Sequence, residues 1–205
     1  MNKRILSLLL VFVFAFTIAV PAFAADYSDL DGHWSETYME DLADRGYLTG
    51  YEDGTMRPDN NMTACETLAL LSRFYDPGDD ALELIEADFA DTVADAVPSS
   101  LSWAYDEIEI CLAAGIITES ELESMDLTAE IEKEQLSVFL VRAMQLTSEA
   151  GALSDTELTF DDAGDISAEC VGSVAELVSI GIITGDDENN FSPDLSVTRA
   201  VVATM

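Results

Sequence analysis

Apolar residues recur at helical spacing in three stretches of the chain: Met39 with Leu42, Ile108 with Cys111 and Leu112, and Val174 with Leu177 and Val178. Each stretch predicts an amphipathic helix with one buried stripe, and Cys111 falls on that stripe beside Leu42 and Leu177. Each predicted helix runs into a glycine, Gly46, Gly115 or Gly181, within "DRGYLTG", "AAGIIT" and "SIGIITG". That suits the residue just past a helix end, where the left-handed backbone leaves no room for a side chain. The runs "ETLALLSRFY" and "LSVFLVRAMQL" predict a second amphipathic helix, with Thr63 and Thr198 placed as N-caps.

Aligned on the three glycines, the register holds without gaps. Twelve residues upstream stand Trp34, Trp103 and Glu169; 17 downstream stand Thr63, Glu132 and Thr198; and 10 further on stand Arg73 and Arg142. Each unit also opens on an aromatic, any residue, then Asp: Tyr27 to Asp29, Phe89 to Asp91, Phe160 to Asp162. The loops "GYEDGTMRPDNN" and "GDDENNFSPDLS" repeat their turn chemistry, with Gly54 opposite Asn189, and Met56 and Phe191 are expected to plug them onto the core. A helix pair cannot bury its own apolar face, so the units are expected to pack on one another. The predicted fold is all-α: three tandem helix-loop-helix repeats at 25–76, 88–147 and 158–205, linked by 77–87 and 148–157 and packed as a pseudo-threefold trimer. The third is read as incomplete, because its second helix starts near Thr198 and the sequence stops at Met205. Val201 and Val202 are therefore expected to be left exposed, and the chain to be the N-terminal part of a longer exported protein.

Composition changes the picture in three ways. Lys3 and Arg4, the apolar run from Ile5 to Val20 and Ala22-Phe23-Ala24 read as a secretory signal peptide over residues 1–24. The formal net charge is −33, and cleavage would leave 6 basic against 41 acidic residues, which disfavours nucleic acid and anionic membranes as partners. With 49% hydrophobic residues in periodic positions, that charge belongs to folded helices rather than to disorder. Cys65, Cys111 and Cys170 are an odd number without metal-knuckle or redox spacing, and read as small core residues.

The order aromatic-x-Asp, "GHW", helix, "GYEDGTMRP" and a Thr-started helix resembles the S-layer homology domain, most closely in unit one and in the "VTRA" of unit three. The resemblance implies a three-repeat module on the cell wall or S-layer surface, binding secondary cell-wall polysaccharide, often pyruvylated, or modified peptidoglycan, without catalysis. A ketal-linked carboxylate calls for a planar, permanently charged donor fork, which arginine supplies. The family's Thr-Arg-Ala-Glu arginine falls on Arg199, on Lys133 and on Ala64. With Asp29, Trp34, Asp91, Trp103 and Asp162, Arg199 and Lys133 make up the expected ligand-binding set. Each Trp has an alternative as a partly buried core residue, and each Asp as a cap on the following turn.

Other classes find less support. His33 is the single histidine and has no Cys, Ser or His partner at a suggestive spacing, so no catalytic residue or cofactor is assigned. The acidic loop "GDDENNFSPD" lacks the sixth-position Gly and twelfth-position Glu of an EF-hand, so no metal ligand is assigned and a weak calcium site remains only an alternative. A self-assembling S-layer or spacer protein is the other alternative, and the oligomeric state stays open.

Overall fold

The computed structural model describes residues 27–205; the expected signal peptide lies outside them. The described residues form an all-α fold. The expected first helices are α1 (Glu36–Asp44), α4 (Tyr105–Ala114) and α8 (Val171–Ser179), and the second helices are α2 (Ala64–Ser72), α6 (Lys133–Ala143) and α9 (Arg199–Thr204). The glycines just past the first helices have φ of 78°, 74° and 81°, the left-handed region their position demanded. Met56 and Phe191 are fully buried. Thr63 caps α2 through a capping box with Glu66, and Thr198 accepts from the Val201 N–H at the start of α9.

The units join through backbone. Met62 donates to the Val197 carbonyl at 3.0 Å, Val197 to Ile131 at 3.0 Å, and Ile131 back to Met62 at 2.9 Å, closing a triangle of hydrogen bonds. All three side chains are buried. A nearby N–H of each segment continues the exchange: Ala64 bonds Ala129, Lys133 bonds Leu195 and Arg199 bonds Asn60, at 2.9, 3.0 and 2.9 Å. A helix leaves its first N–H groups without intrahelical partners. Here those of each second helix are satisfied by the loop of another unit.

Between the second helix of unit one and the first helix of unit two runs α3 (Asp79–Ala96), an 18-residue helix where a linker and an aromatic-x-Asp turn were expected. "DDALELIEADFADTVADA" is rich in Ala, Leu and Glu, starts after Gly78 and carries Asp79 and Asp80 in its first turn, so helix propensity and the helix dipole override the short turn motif. Ala81, Ile85, Phe89 and Val93 make its inward stripe, and Asp91 faces solvent. The second expected linker is likewise partly helical, as α7 (Thr147–Ala152). α7 packs so closely on α8 that a Cβ on Gly172 would collide with the Ala150 carbonyl. In unit two the loop is replaced by α5 (Glu119–Ser124), begun by a Thr118–Glu121 capping box.

Val202 is buried and Val201 half-buried, contrary to the expectation of exposure, because α9 lies against α1. Cys65, Cys111 and Cys170 are free and buried; burial pushes the Cys65 thiol up to about 11 and the Cys170 thiol to about 12.

The α3–α4 contact joins two acidic helices. Burial, then the charges of Asp106 and Glu86, push the Glu109 carboxyl above its ordinary value. The folded state thus holds this proton more tightly than the unfolded chain. The stability it contributes is full below the unfolded value of about 4.3 and is lost as pH rises through the raised one. Glu109→Gln is expected to raise the melting temperature at pH 7, with the gain disappearing near pH 4. A gain that is the same at both pH values would refute the assignment.

Candidate functional site

Asp29 and Asp162 do the same work in units one and three. The Asp29 carboxylate accepts the Met56 and Arg57 N–H groups at 2.8 and 2.7 Å; that of Asp162 accepts Phe191 and Ser192 at 2.8 and 2.6 Å. Arg57 and Ser192 have φ of 49° and 59°, a conformation costly for residues with a side chain, and the carboxylate holds the two successive N–H groups that result. Burial alone would raise the Asp162 pKa, but the Phe191 and Ser192 N–H groups and the nearby Lys133 charge hold it below the usual carboxylate range. Both aspartates are therefore loop clamps. Asp91, exposed on α3, clamps nothing.

The plug residues are held from the other side by cations of a neighbouring unit. Arg199 donates Nε to the Met56 carbonyl at 2.8 Å and Nη2 to Thr49 at 2.9 Å, while Lys133 donates Nζ to the Phe191 carbonyl at 2.8 Å. Arg199 is only 7% exposed, and burial lowers the pKa of both cations. Ala64 fills the third equivalent position and offers no cation, so the start of α2 bonds unit two through the Ala64 and Cys65 N–H groups.

One cleft of about 160 Å³ gathers residues of all three units: Thr49, Tyr51, Glu66 and Arg73 from unit one, Trp103 from unit two and Arg199 from unit three. Arg57 lies over the Tyr51 ring at 3.7 Å and Arg199 at 5.1 Å, so the ring has two guanidinium groups within cation–π reach. Trp103 is 52% exposed and Trp34 60%, so about half of each side chain is open to solvent. The cleft thus unites Trp103 and Arg199 of the expected set. Trp34 stands elsewhere, tilted against His33 at 5.5 Å. The sequence reading missed Arg73 and Tyr51 as site residues. The repeated register of Arg73 and Arg142 was visible, but which face it served was not.

Charge pairing marks the cleft further. Three of the six cations among the described residues have a carboxylate within 4.0 Å: Arg45 with Asp41, Arg57 with Asp53, Arg142 with Glu121. Arg73, Lys133 and Arg199 have none among the described residues. Two of these three, Arg73 and Arg199, line this cleft.

His33 has a hydroxyl partner that its sequence neighbourhood did not suggest, since Ser35 Oγ lies 2.8 Å from Nδ1 and Asp59 lies 3.3 Å from Nε2. Ser35 is fully buried, and its backbone N–H also donates to Nδ1, so the trio locks a turn and offers no accessible hydroxyl. In the acidic loop of unit three, Asp186 accepts the Glu188 and Asn190 N–H groups and serves the turn itself. Glu132, Glu134 and Asp194 bring carboxylate oxygens within 4.8 Å of one another, but those of Glu134 already accept the Ser167 N–H and hydroxyl.

Residues 26–63 and 159–200 match the S-layer homology domain family. A cellulosome-anchoring protein of Acetivibrio thermocellus is 36% identical over 92 residues, 45% of this chain and 18% of that protein. An endoglucanase of a Bacillus species is 24% identical over 96% of this chain, and the S-layer protein EA1 of Bacillus anthracis is 25% identical over 91%. The chain spans about a fifth of the length of each, 21% and 20% for the latter two.

Asp29→Asn, which leaves one loop N–H facing an amide NH₂, is expected to cost about 1–3 kcal/mol in chemical denaturation. Asp91→Asn should stay within about 0.5 kcal/mol of the parent. Equal effects would contradict the division between clamp and surface residue.

Proposed function

We propose that this chain, which carries S-layer homology domains at residues 26–63 and 159–200, anchors an exported protein to the cell surface by holding wall polysaccharide in the cleft between Trp103 and Arg199. The observation that carries this reading is the pair of unpaired cations, Arg73 and Arg199, beside an exposed indole in an otherwise strongly acidic molecule. An anionic sugar polymer meets locally positive potential there. The indole face offers an apolar platform for a sugar ring and the guanidinium groups offer donors to its acidic substituent. The work of such a site is retention, and the module is read as non-catalytic.

The relatives favour a surface role. One bears anchoring in its name and another is an S-layer protein, while the endoglucanase is several times longer than the segment it shares with this chain. No described helix is long and apolar enough to cross a membrane. The acidic outer surface would suit amine-decorated peptidoglycan as an alternative wall partner, but the cleft itself is cationic. Because the remaining surface repels a polyanion, rising salt should weaken the attraction at the cleft and screen the general repulsion at the same time.

The test is cosedimentation of the protein with purified sacculi, untreated and stripped of polysaccharide, with Trp103→Ala in parallel. Trp103 is the better probe than Arg199, whose loss would also release the Met56 and Thr49 carbonyls. Binding that requires the polysaccharide and weakens about tenfold on Trp103→Ala, the equivalent of about 1.4 kcal/mol, is expected. Binding that survives stripping would move the partner to peptidoglycan, and ordered arrays formed without wall would favour a self-assembling coat. Failure to bind sacculi would end the anchoring proposal.

A further inference from the structure

Arg73 and Arg142 hold the same register in units one and two and are positioned by the same bond. Each donates Nη1 to the carbonyl just after the left-handed glycine, Arg73 to Tyr47 at 2.9 Å and Arg142 to Ile116 at 3.1 Å. They differ in what meets the rest of the guanidinium. Arg142 takes the Glu121 carboxylate end-on, Nη1 to Oε2 at 2.8 Å and Nη2 to Oε1 at 2.9 Å. Glu121 is fixed in turn by Thr118, whose N–H and hydroxyl both donate to it at 2.8 Å. Burial would raise the Glu121 pKa, but the Arg142 and Thr118 bonds hold it below the ordinary range, as expected of a carboxylate kept charged in its fork.

The residue of unit one in the register of Glu121 is Glu52, and it is exposed. Backbone explains the difference. A Cβ on Gly50 would lie 2.4 Å from the Tyr27 ring, so unit one needs glycine to fold its loop beneath that ring, and the loop turns outward at Tyr51–Gly54. Unit two has Glu119 in that place and starts α5 instead, which turns Glu121 inward onto Arg142. Arg73 is consequently left in the cleft with its fork unoccupied by any described carboxylate. Arg199, nearly buried and committed to two carbonyls, has less guanidinium surface to give.

From these two arrangements we infer that Arg73 is the residue that receives a carboxylate of the bound sugar, bidentate and end-on, and that unit two cannot do the same because its own Glu121 fills the equivalent fork. Of these two forks, only that of Arg73 is therefore open to an acidic sugar. Glu169 in the register of Trp103, and Ala64 in that of Arg199, remove the other two contacts from the unit-two position. This rests on the wall-polysaccharide reading and adds the chemical group recognised, the residue that recognises it and which of the two forks is open to it. The carboxylate could come from a pyruvate ketal or from a uronic acid, which present the same planar anion on a sugar.

The experiment is calorimetric titration with two soluble probes, the methyl glycoside of a pyruvylated hexosamine and that of a hexuronic acid, each also as its carboxamide. Parent, Arg73→Ala, Arg73→Lys and Arg142→Ala proteins are compared, with melting curves establishing that each is folded. One of the two acids is expected to bind the parent, which identifies the source of the carboxylate. Amidation and Arg73→Ala should each weaken binding at least tenfold without adding in combination, because both remove the same contact. Arg73→Lys, which keeps the charge but not the fork, should recover only part of the loss. Arg142→Ala should melt earlier and bind as the parent does. Additive losses, or an Arg142→Ala loss equal to that of Arg73→Ala, would each overturn the inference. Binding to sacculi with no preference for acid over amide would overturn it and leave anchoring standing, whereas failure on both sacculi and probes would remove both.

Discussion

The triangle of backbone hydrogen bonds among Met62, Ile131 and Val197 is the constraint on which the rest of the molecule depends. It places the starts of three helices side by side and buries three apolar side chains at their meeting point. Each second helix then completes its first turn with carbonyls of another unit, Ala64 with Ala129, Lys133 with Leu195 and Arg199 with Asn60. Unpaired N–H groups at a buried helix start are costly. No unit can therefore form its second helix fully without a neighbour, and cooperativity between the units is built into the backbone. Side-chain packing reinforces this ring without having to create it.

The same geometry makes the cleft a product of three units. Trp103 heads a helix of unit two, Arg199 begins the last helix of unit three, and Arg73 and Tyr51 belong to unit one. Because the N–H and side chain of Arg199 both bind unit one, the residue that charges the cleft also closes the ring. Any binding role proposed for this position would be coupled to folding, so loss of ligand after its removal would not by itself identify a contact. Arg73 and Trp103 separate the two roles, since neither is part of the ring.

Repeats of one pattern have become unequal through a few backbone decisions. Gly50 admits the Tyr27 ring and Gly185 lies against Phe160, and in both units an aspartate clamps the folded loop. Unit two has no glycine at this point, its aromatic Phe89 lies within α3, and its Asp91 has no loop to clamp. The segment after Thr118 becomes a helix, and its Glu121 meets Arg142. In a chain of net charge −33, where carboxylates are abundant and cations few, the placement of a single loop decides whether an arginine is neutralised from within or left for a ligand.

The sequence by itself determined the helix pairs, the left-handed glycines at Gly46, Gly115 and Gly181, the buried plugs Met56 and Phe191, and the repeat register. These arise from periodicity and local steric rules that act within about twenty residues. Trp103 and Arg199, which line one cleft, were named together through resemblance rather than through any local rule. Tertiary structure decided what local patterns leave open. Asp29 and Asp162 proved to be loop clamps because their partners are 27 to 30 residues away, and Lys133 a staple because Phe191 is 58 residues away. The aromatic-x-Asp turn expected at Phe89 to Asp91 did not form because the helix propensity of 79–96 outweighed a three-residue motif. The exposure predicted for Val202 failed because α1 covers it. Arg73 and Arg142 look alike along the chain, and only the fold of the preceding loop, set by Gly50 in one unit and Glu119 in the other, gives one a carboxylate and leaves the other facing the cleft.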